Sequence, residues 1–571
     1  MHFTFTLLSL CLGSTFLFAQ NPLLIPSSLT GTSFNLSVQS GTTIFYDTIS
    51  TPTFGINGVW MSPTIIVNKG DSITLNVTNN LNVKTTMHWH GLHVAAKNDG
   101  GPHQEIAPAA TWSPSYRVRN QASTFWYHPH GAAQTELQVS KGLAGFFIVR
   151  DSAEAALNLP RTYGVDDIPV VVQTRAFDVL KQIAIADHMD TAVFANGTLD
   201  ATWNAPGQVV RFRLLNGSSL RTFRFGFSNN ITFYQIATDG GLMDSSFALT
   251  RLTLSPGERA EILIDFAPYI GQNFNLTSFS TELPTGIYGA DSVGMGADSI
   301  QDYDMNFLNG SDFDLLRINA IGQTANPVTS IATALIPYQP FDTNSVNNVR
   351  TILMDTLRIL PADVPSLVSG PFGLNGRSFD IDSVNEIIFL NSTEIWTLVN
   401  RTSIAHPFHM HAIQFNILEK GGILPPASER GWKDVVLVMP GDSVKFITQF
   451  TTFADNTTPY MYHCHLLHHE DDGMMGSFLV IDTTVGNEPE MEEPGILVTP
   501  NPSEGKFTVK FHKSLQHAAI RIIDVFGNCK LNLEIINKGF AEIDLGGIAR
   551  GIYFLVAKSG SWESGMKIIV R

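Results

Sequence analysis

Cysteine is scarce in this chain of 571 residues, which contains three: Cys11, Cys464 and Cys529. Cys11 lies in an N-terminal segment that we expect to be removed, so the mature chain keeps two. A disulfide between Cys464 and Cys529 would consume a thiol that stands among histidines and is suited to hold a metal. We therefore predict no disulfide, although disulfides are common in exported proteins.

Positive charge is also scarce. The chain has 35 Lys and Arg against 51 Asp and Glu, a net charge of -16, and its isoelectric point is near 5.5. Phosphates of nucleic acids and anionic membrane surfaces repel such a chain. We therefore expect neither as a partner, and the composition is typical of a soluble protein outside the cytoplasm.

An apolar run occupies the N terminus from Leu7 to Phe18 and is followed by Ala19-Gln20. It predicts a secretory signal peptide over residues 1–20, although the first residues contain neither Lys nor Arg. A membrane anchor is the alternative, but the run is short for a membrane span. Leu10 before Cys11 argues against a lipoprotein anchor. We expect no transmembrane anchor after removal, export through the periplasm, and a secreted or cell-surface protein.

Amphipathic helical patterns are few in residues 22–160, which are rich in Thr, Val, Ile and Gly. Stretches such as Ser72–Val77 alternate polar and apolar residues, which predicts strands of an all-β sandwich. A weak repeat extends this prediction along the chain. The dipeptides Asn57-Gly58, Asn196-Gly197 and Asn375-Gly376 precede β-rich runs that end near Asn79, Asn216 and Asn400 respectively. We predict three related β-domains at residues 21–160, 161–330 and 331–483.

Candidate metal ligands are concentrated between His463 and Met474. Alternate side chains of a strand share a face, so His463 and His465 point to one side and Cys464 to the other, joining two sites covalently. A thiolate, an imidazole and a weak thioether suit copper, and Cys464, His469 and Met474 supply them. Structural zinc sites usually need two to four cysteines. The alternative is an inert buried thiol and a packing methionine, which four histidines in seven residues weaken.

Three further segments contain His-x-His pairs, which place two imidazoles on one strand face. They are His88-Trp89-His90-Gly91, His128-Pro129-His130 and His406-Pro407-Phe408-His409-Met410-His411. One such pair is a weak signal, but the four histidine segments hold ten of the seventeen histidines as candidate ligands. The middle β-domain has no pair, so we expect it to serve as a spacer or to contact substrate.

These four segments resemble, in their order along the chain, the copper-binding signatures of the multicopper oxidases. The similarity is to bacterial laccases and periplasmic cuprous oxidases, covers residues 40–483, and includes Ile236–Gly241 and Gly431–Asp434. It implies three consecutive cupredoxin-like Greek-key domains, each a β-sandwich or barrel, and four copper ions. The ions would be one type-1, one type-2 and two type-3 coppers.

The resemblance also implies which residues bind each copper. The type-1 copper would be held by His406, Cys464, His469 and, axially, Met474. His88 and His409 would hold the type-2 copper. The type-3 coppers would take two sets of three histidines: His90, His128 and His465, and His130, His411 and His463.

The expected activity is an exported, laccase-like oxidase that couples four one-electron oxidations of phenolic or aromatic donors to reduction of dioxygen to water. Cys464 would relay electrons. Water formation consumes protons, and by resemblance Asp99 and Glu470 occupy positions of acidic proton-relay residues; spacing alone would favour a turn Asp and a solvated Glu. His93 and His468 are expected to support ligands or structure rather than bind copper.

Other functions remain open on the sequence. A cuprous or other metal-ion oxidase in copper tolerance is the main alternative, but Thr402–Ala405 contains neither Asp nor Met. The stretch 282–316 has Met295, Met305 and several Asp but neither Lys nor Arg, and we expect a solvated acidic loop that attracts cationic substrates weakly. The ligand set disfavours a non-catalytic relative such as a cell-division protein, a two-domain nitrite reductase and a binuclear hydrolase.

The C-terminal part differs from what precedes it. Residues 484–495, in an acidic and Pro-containing stretch, predict a linker. Residues 496–571 predict a small β-sandwich that resembles the sorting domain of the type IX secretion system, at Pro500-Asn501-Pro502, Gly551–Leu555 and Lys567–Arg571 among others. This implies type IX machinery as a partner, while an accessory sandwich without an address function is the alternative.

Overall fold

The computed structural model describes residues 21–185, 189–295, 299–300, 303–357, 368–369, 371–482, 496–524, 528–559 and 562–571. The chain forms two compact units, Met1–Asp482 and Thr483–Arg571. The predicted signal peptide at residues 1–20 and the predicted linker at 484–495 lie outside the described residues. Cys464 is buried and Cys529 is exposed, and both are free thiols.

The first pair of facing sheets is built mainly from residues 28–150. One sheet has the order β4-β3-β6-β8 with β9 also on β6, and the other has the order β2-β5-β11-β10-β7. In β6, Ile73, Leu75 and Val77 face the core while their neighbours are partly exposed, as the alternation predicts. The elements are β1 (Asn21–Pro22), β2 (Ser28–Thr30), β3 (Ser33–Tyr46), β4 (Ile49–Ile56), β5 (Thr64–Asn68), β6 (Ser72–Asn79), β7 (His88–His90), η1 (Ala96–Asn98), β8 (Thr111–Trp112), β9 (Ser115–Arg117), β10 (Ser123–His128), α1 (Thr135–Ser140), β11 (Gly145–Arg150) and α2 (Ser152–Ala155).

The second pair has the sheet orders β15-β14-β12-β17-β22-β19-β20 and β1-β16-β25-β23-β18-β21. β1 belongs to this pair because it lies parallel to β16; the three domain bounds stay predictions. The elements are β12 (Asp167–Phe177), β13 (Ile183–Ala184), β14 (Ala192–Ala195), β15 (Thr198–Leu199), β16 (Ala201–Pro206), β17 (Val209–Asn216), β18 (Phe223–Phe227), β19 (Phe233–Thr238), β20 (Gly241–Leu249), β21 (Leu252–Leu254), β22 (Arg259–Asp265), η2 (Ala267–Tyr269), β23 (Asn273–Ser278), η3 (Ser280–Glu282), β24 (Ser299–Ile300) and β25 (Phe313–Ile321).

The third pair has the sheet orders β28-β26-β30-β34-β32 and β29-β36-β35-β31-β33. Its core includes Trp396, Phe408 and Phe446, and Cys464 lies in the same buried cluster. The elements are η4 (Thr343–Ser345), β26 (Asn348–Thr356), β27 (Val368–Ser369), β28 (Phe372–Leu374), β29 (Glu386–Phe389), β30 (Ser392–Asn400), β31 (His406–Met410), β32 (Phe415–Lys420), η5 (Ala427–Glu429), β33 (Val435–Val438), β34 (Ser443–Phe450), β35 (Tyr460–Cys464), α3 (Leu467–Asp471) and β36 (Met475–Ile481).

The three pairs share a buried asparagine at the end of a strand. Asn79, Asn216 and Asn400 end β6, β17 and β30, and each accepts a hydrogen bond from the backbone N–H two residues on, at 2.9, 3.0 and 2.9 Å. Each amide group also donates to two backbone carbonyls. The repeated contact gives the weak sequence repeat a structural basis, because it closes the same turn in all three pairs.

The C-terminal unit is a small β-fold with the sheet order β37-β38-β40-β41, in which β39 also pairs with β38. Val509, Ile520, Ile522, Leu555 and Ile568 form its core. Its strands are β37 (Ile496–Thr499), β38 (Lys506–Asp524), β39 (Cys529–Asp544), β40 (Gly551–Ser559) and β41 (Trp562–Val570).

The all-β prediction is confirmed, since helices are few and short throughout the described ranges. Among these residues, none of the helices combines the length and apolar character needed to span a bilayer. The longest, α1, has six residues.

Candidate metal centre

Strand pairing brings the His-x-His segments together. β7 lies antiparallel to β10, which sets His88 opposite His128, and β31 lies antiparallel to β35, which sets His409 opposite His463. The second histidine of three of the pairs follows the end of its strand. We call these eight buried residues the histidine cluster: His88, His90, His128, His130, His409, His411, His463 and His465.

Three sets within the histidine cluster have ligand atoms within 4.8 Å of one another. The first set is His88, His409 and His411; the second is His90, His128 and His465; the third is His130, His411 and His463. The Nε2 atoms of His130 and His463 are 3.1 Å apart, and His465 Nε2 is 3.2 Å from His90 Nδ1. The second and third sets are the two predicted sets of three histidines, and the first joins the predicted pair to His411.

Backbone carbonyls orient several of these imidazoles. Nδ1 of His88 donates to Asp99 O at 2.9 Å, Nδ1 of His409 to Asp434 O at 2.8 Å, and Nδ1 of His128 to Pro129 O at 2.8 Å. The opposite atoms, Nε2 of all three, are buried and have no hydrogen-bond partner among the described residues. Buried nitrogens are normally paired, so this donor set fits a metal that accepts imidazole lone pairs.

The protonation of the cluster agrees with that fit. Burial first, and neighbouring imidazoles second, lower the pKa of His88, His90, His409 and His411 well below the ordinary value. The rings are therefore neutral at physiological pH, which is the form that binds metals.

A second site, which we call the cysteine group, consists of His406, Cys464 and His469. Cys464 Sγ is 3.4 Å from His406 Nδ1 and 3.8 Å from His469 Nδ1, and the two Nδ1 atoms are 3.3 Å apart. Burial raises the pKa of the Cys464 thiol. A bound cation is therefore needed to hold the thiolate at neutral pH.

Met474 lies next to the cysteine group. Its side chain is fully buried in the same core cluster as Cys464. Its backbone N–H donates to His469 O at 2.8 Å, and its carbonyl accepts from Cys464 N at 3.0 Å. The short helix α3 and the turn at Gly473 thus return the chain to Cys464 after His469.

The outer edges of the cysteine group meet hydroxyl groups and an aromatic ring. His406 Nε2 is 2.8 Å from Thr402 Oγ1, and His469 Nε2 is 3.3 Å from Tyr288 OH. The ring of Phe372 lies 4.9 Å from the His406 ring and 4.6 Å from the His469 ring. None of these three residues belongs to a ligand motif, so the sequence alone did not predict their contacts with the two imidazoles.

Cys464 links the two sites as the alternation of strand faces predicts. His463 and His465 reach the histidine cluster, while the Cys464 side chain reaches the cysteine group. The connection between the sites is therefore covalent and consists of three consecutive residues.

Asp99 and Glu470 both touch the histidine cluster. Asp99 Oδ2 is 2.6 Å from His411 Nδ1, and burial raises the pKa of Asp99 well above its usual range. Glu470 Oε2 is 3.1 Å from His463 Nδ1. Burial raises the pKa of Glu470, but the imidazoles of His130 and His463 outweigh it and hold the pKa well below its usual range. One carboxyl group thus favours its protonated form and the other its ionised form.

His93 and His468 belong neither to the three sets of the histidine cluster nor to the cysteine group. His93 Nδ1 contacts Ala412 O, and its Nε2 is 2.6 Å from Thr452 Oγ1. His468 Nδ1 is 3.3 Å from Glu136 Oε2. Both imidazoles hold neighbouring segments in place.

The acidic stretch 282–316 lies beside the cysteine group, because Tyr288 belongs to it. Several of its carboxylates are used locally: Glu282 pairs with Arg224 and Arg251 at 2.7 and 2.9 Å, and Asp312 accepts from Thr281 Oγ1 at 2.7 Å. Met295 and Met305 are 53% and 52% exposed. Asp298 and Asp302 lie outside the described residues.

Comparison with known families matches three parts of the chain. Residues 37–154 and 346–484 match two sequence families described as multicopper oxidase. Residues 497–571 match a secretion system C-terminal sorting domain.

Similar proteins cover most of the chain. The multicopper oxidase mco of Staphylococcus haemolyticus is 31% identical over 457 residues, 78% of this chain and 88% of that protein. The cell division protein FtsP of Escherichia coli is 29% identical over 486 residues, 83% of this chain and 96% of that protein. A solved structure of the laccase-like multicopper oxidase CueO from a lignin-degrading Ochrobactrum species has a TM-score of 0.70 and 32% identity, covering 81% of this chain and 100% of that chain.

Proposed function

This chain belongs to the multicopper oxidase family, and on that premise we propose that it couples four one-electron oxidations of phenolic or aromatic donors to the reduction of dioxygen to water. It is an oxidoreductase, and the family implies bound copper. The observation that carries the proposal is the covalent connection of two ligand sites by Cys464. A donor that yields single electrons and an acceptor that takes four require two such sites.

The proposed ligands follow the side-chain groupings. His406, Cys464, His469 and Met474 would hold a type-1 copper. His88 and His409 would hold the type-2 copper, and the second and third sets of the histidine cluster would each hold a type-3 copper. Support comes from ligand atoms within 4.8 Å in each set and from unpartnered Nε2 atoms of His88, His128 and His409.

Bound copper would supply one-electron acceptance at the cysteine group and multi-electron reduction of dioxygen at the histidine cluster. The chain sets the ligand geometry, excludes water from the sites and supplies protons. Burial of every cluster histidine excludes bulk water, and the Cys464 backbone provides the short route between the sites.

We propose Asp99 and Glu470 as the proton-handling residues. Asp99 Oδ1 has no hydrogen-bond partner among the described residues and lies 3.5 Å from His88 Nδ1. With its raised pKa, Asp99 holds a proton at the edge of the cluster. Glu470 accepts a hydrogen bond from Thr135 Oγ1 at 2.8 Å and remains ionised, so it is suited to receive a proton.

The preference for aromatic donors rests on the environment of the cysteine group. Its imidazoles are buried and contact the aromatic rings of Phe372 and Tyr288 and the hydroxyl of Thr402, so no charged side chain is among these neighbours. The similar Ochrobactrum enzyme has oxidase activity towards lignin model compounds and lignosulfonate. This likeness supports, for this chain, donors of the same chemical class.

A metal-ion oxidase is the second candidate. Exposed Met295 and Met305 lie on the same stretch as Tyr288, and thioethers favour Cu(I). A copper-free binding protein is a weaker candidate, even with FtsP among the relatives, because every proposed ligand is present in this sequence.

Copper content and oxygen uptake test the proposal together. We expect four copper ions per chain, four phenols oxidised per dioxygen consumed, and a higher kcat/KM for phenols than for Cu(I). Exchanging Met295 and Met305 for Leu is the matched control, and should leave phenol oxidation unchanged. Oxidation of Cu(I) that is far more efficient than that of any phenol, and that falls in this double variant, would establish the second candidate instead.

A further inference from the structure

The segments Ile236–Gly241 and Gly431–Asp434 resemble the family but contain no proposed ligand. They contact each other next to the histidine cluster. Thr238 Oγ1 and Gly240 N, from the segment Ile236–Gly241, donate to Trp432 O at 2.7 and 2.9 Å. Trp432 precedes Lys433 and Asp434. Resting on the proposed function, we infer that Arg259, in the second sheet pair, is a positioning residue that acts through Asp434 on two copper ligands.

Asp434 contacts two histidines that belong to different ligand sets. Its Oδ1 is 3.1 Å from His90 Nε2, and its backbone carbonyl accepts from His409 Nδ1 at 2.8 Å. The remaining nitrogens are then the ligand atoms, Nδ1 of His90 and Nε2 of His409. One residue therefore fixes the tautomer and the ring orientation of two ligands.

Arg259 fixes the carboxylate of Asp434. Its two terminal nitrogens each donate to one oxygen of Asp434 at 2.6 Å, a two-pronged contact that prevents rotation of the carboxylate. Both side chains are fully buried. Asp434 comes from the third sheet pair, so the contact joins the middle pair to one of the two pairs that supply ligands.

A second layer of charges holds Arg259 and the Asp434 segment. Asp239 Oδ1 accepts from Arg259 N at 2.8 Å, and Lys433 Nζ is 2.9 Å from Asp239 Oδ2 and 2.6 Å from Glu258 Oε1. Buried charges persist only when they are paired. Among the described residues, the proposed copper ligands that Asp434 contacts are His90 and His409, so the charged side chains behind Asp434 support the cluster without binding copper themselves.

Gly257, two residues before Arg259, also limits the space beside the histidine cluster. Gly257 has φ +85°, and a Cβ at this position would lie 2.9 Å from ring atoms of His465. Its carbonyl accepts from Arg259 at 3.0 Å. This segment therefore supports the cluster at two points: Gly257 lies directly against His465, and Arg259 holds Asp434, which contacts His90. The middle sheet pair, which contributes no His-x-His pair, thus has a role beyond spacing.

Arg259→Gln tests the inference, with Arg213→Gln as a matched control. Arg213 is equally buried, in the neighbouring strand β17, and is paired with Asp167 at 2.6 Å and Glu261 at 2.7 Å, away from Asp434. Both proteins are loaded with copper and measured without donor for copper content, for the electron paramagnetic resonance signals of type-1 and type-2 copper, and for thermal unfolding.

We expect Arg259→Gln to keep the type-1 signal and to lower copper affinity of the histidine cluster about 10- to 100-fold, as loss of a ligand-supporting contact does. Arg213→Gln should lower stability with cluster copper unchanged. Equal cluster copper in the two variants, or loss of type-1 and cluster copper in proportion, would overturn the inference. If the wild-type cluster binds no copper, the proposed function fails instead.

Arg259→Lys keeps the inference testable if Arg259→Gln does not fold, because Lys keeps the buried positive charge but lacks the planar fork that holds both oxygens of Asp434. We expect the same selective loss of cluster copper, and cluster copper at the wild-type level would overturn the inference.

A pair of glycine variants tests the separate contact with His465. Gly257 and Gly271 have φ +85° and +83°, but a Cβ at Gly271 meets nothing within 4 Å. Gly257→Ala and Gly271→Ala therefore impose similar backbone strain, while the first alone displaces His465. We expect an altered cluster spectrum in Gly257→Ala and an unaltered one in Gly271→Ala; identical spectra would refute the contact as a positioning element.

Discussion

At the scale of single residues, Cys464 lies where the two ligand sites are joined. Its side chain lies in the cysteine group, while its two neighbours in sequence enter the histidine cluster. The strand alternation that predicts this division is a local property of the backbone. For that reason the sequence alone was sufficient to place these three residues.

Replacing Cys464 by Ser tests the assignment of the cysteine group. We expect the intense blue absorption to disappear and donor oxidation to fall to background, because in the proposed function the thiolate is both the chromophore and the electron route. The fold should persist, since Ser is close in volume and the fully buried site is otherwise unchanged. Visible spectra and thermal unfolding of the copper-loaded variant measure both effects, and retained blue colour would contradict the assignment.

Asp99 and Glu470 are tested by their amides. Asp99→Asn and Glu470→Gln should slow dioxygen reduction about 10²-fold, the usual contribution of a positioned proton donor or acceptor. Reduction of the type-1 copper by donor should keep its rate, which serves as the internal control. Stopped-flow absorption would show a blue copper that is reduced normally and reoxidised slowly. Reoxidation at the wild-type rate would leave both carboxyls with a structural role.

At the scale of elements, the short helices α1 and α3 connect the first and third sheet pairs. Asp471 at the end of α3 accepts from the backbone N–H groups of Thr135 and Glu136 at the start of α1, both at 2.9 Å. Thr135 in turn donates to Glu470. The two helices therefore fix the orientation of the Glu470 carboxylate as well as each other.

Asp471→Ala should lower the free energy of unfolding by about 1–2 kcal/mol, as loss of a helix cap does, and should also slow reoxidation of the blue copper. Asp151→Ala is the control. Asp151 caps α2 through Glu154 N at 2.8 Å and also accepts from Ala122 N at 2.9 Å, without touching Glu470. Denaturant melts and reoxidation rates of both variants separate the effects. Equal reoxidation rates would mean that the helix contact does not orient Glu470.

Short elements and contacts between distant segments are the parts of the site that the sequence does not predict. His469 lies on α3, a helix of five residues, which is too short to leave a periodic pattern. The strands that carry most of the other ligands are predictable, because the alternation of side chains between the two strand faces is visible over a few residues. Phe372 on β28 and Tyr288 in a turn of the second sheet pair line the cysteine group from distant parts of the chain, so no local motif predicts their contact with it.

At the scale of the whole molecule, the two compact units imply separable functions. Ending the chain at Asp482 removes the sorting domain but keeps β36, which ends at Ile481 and pairs with β35. We expect copper content and oxidase activity within about twofold of the full chain, since every proposed ligand belongs to the first unit. In a host with type IX secretion the truncated protein should stay in the periplasm, as fractionation would show. Full secretion of the truncated protein would contradict an address function.

Long-range contacts explain what the sequence could not predict. The threefold repeat is visible in the sequence as Asn-Gly dipeptides, and most of the ligands are visible as His-x-His pairs, so both can be predicted from the sequence. Arg259 leaves none, because its partner Asp434 is 175 residues away and an isolated Arg is common in strands. The contribution of the middle sheet pair therefore emerges only once the folded chain brings the two together.

The sequence separation of the ligands also governs the order in which the protein matures. His90 and His465 are 375 residues apart, and His130 and His463 are 333 apart. A nascent or broken chain that stops before residue 406 lacks a complete ligand set. Because each set of the histidine cluster joins residues from both ends of this range, we expect tight metal binding there only after both ends are synthesised and folded together. A chain truncated before residue 406 should therefore bind metal much more weakly than the full chain.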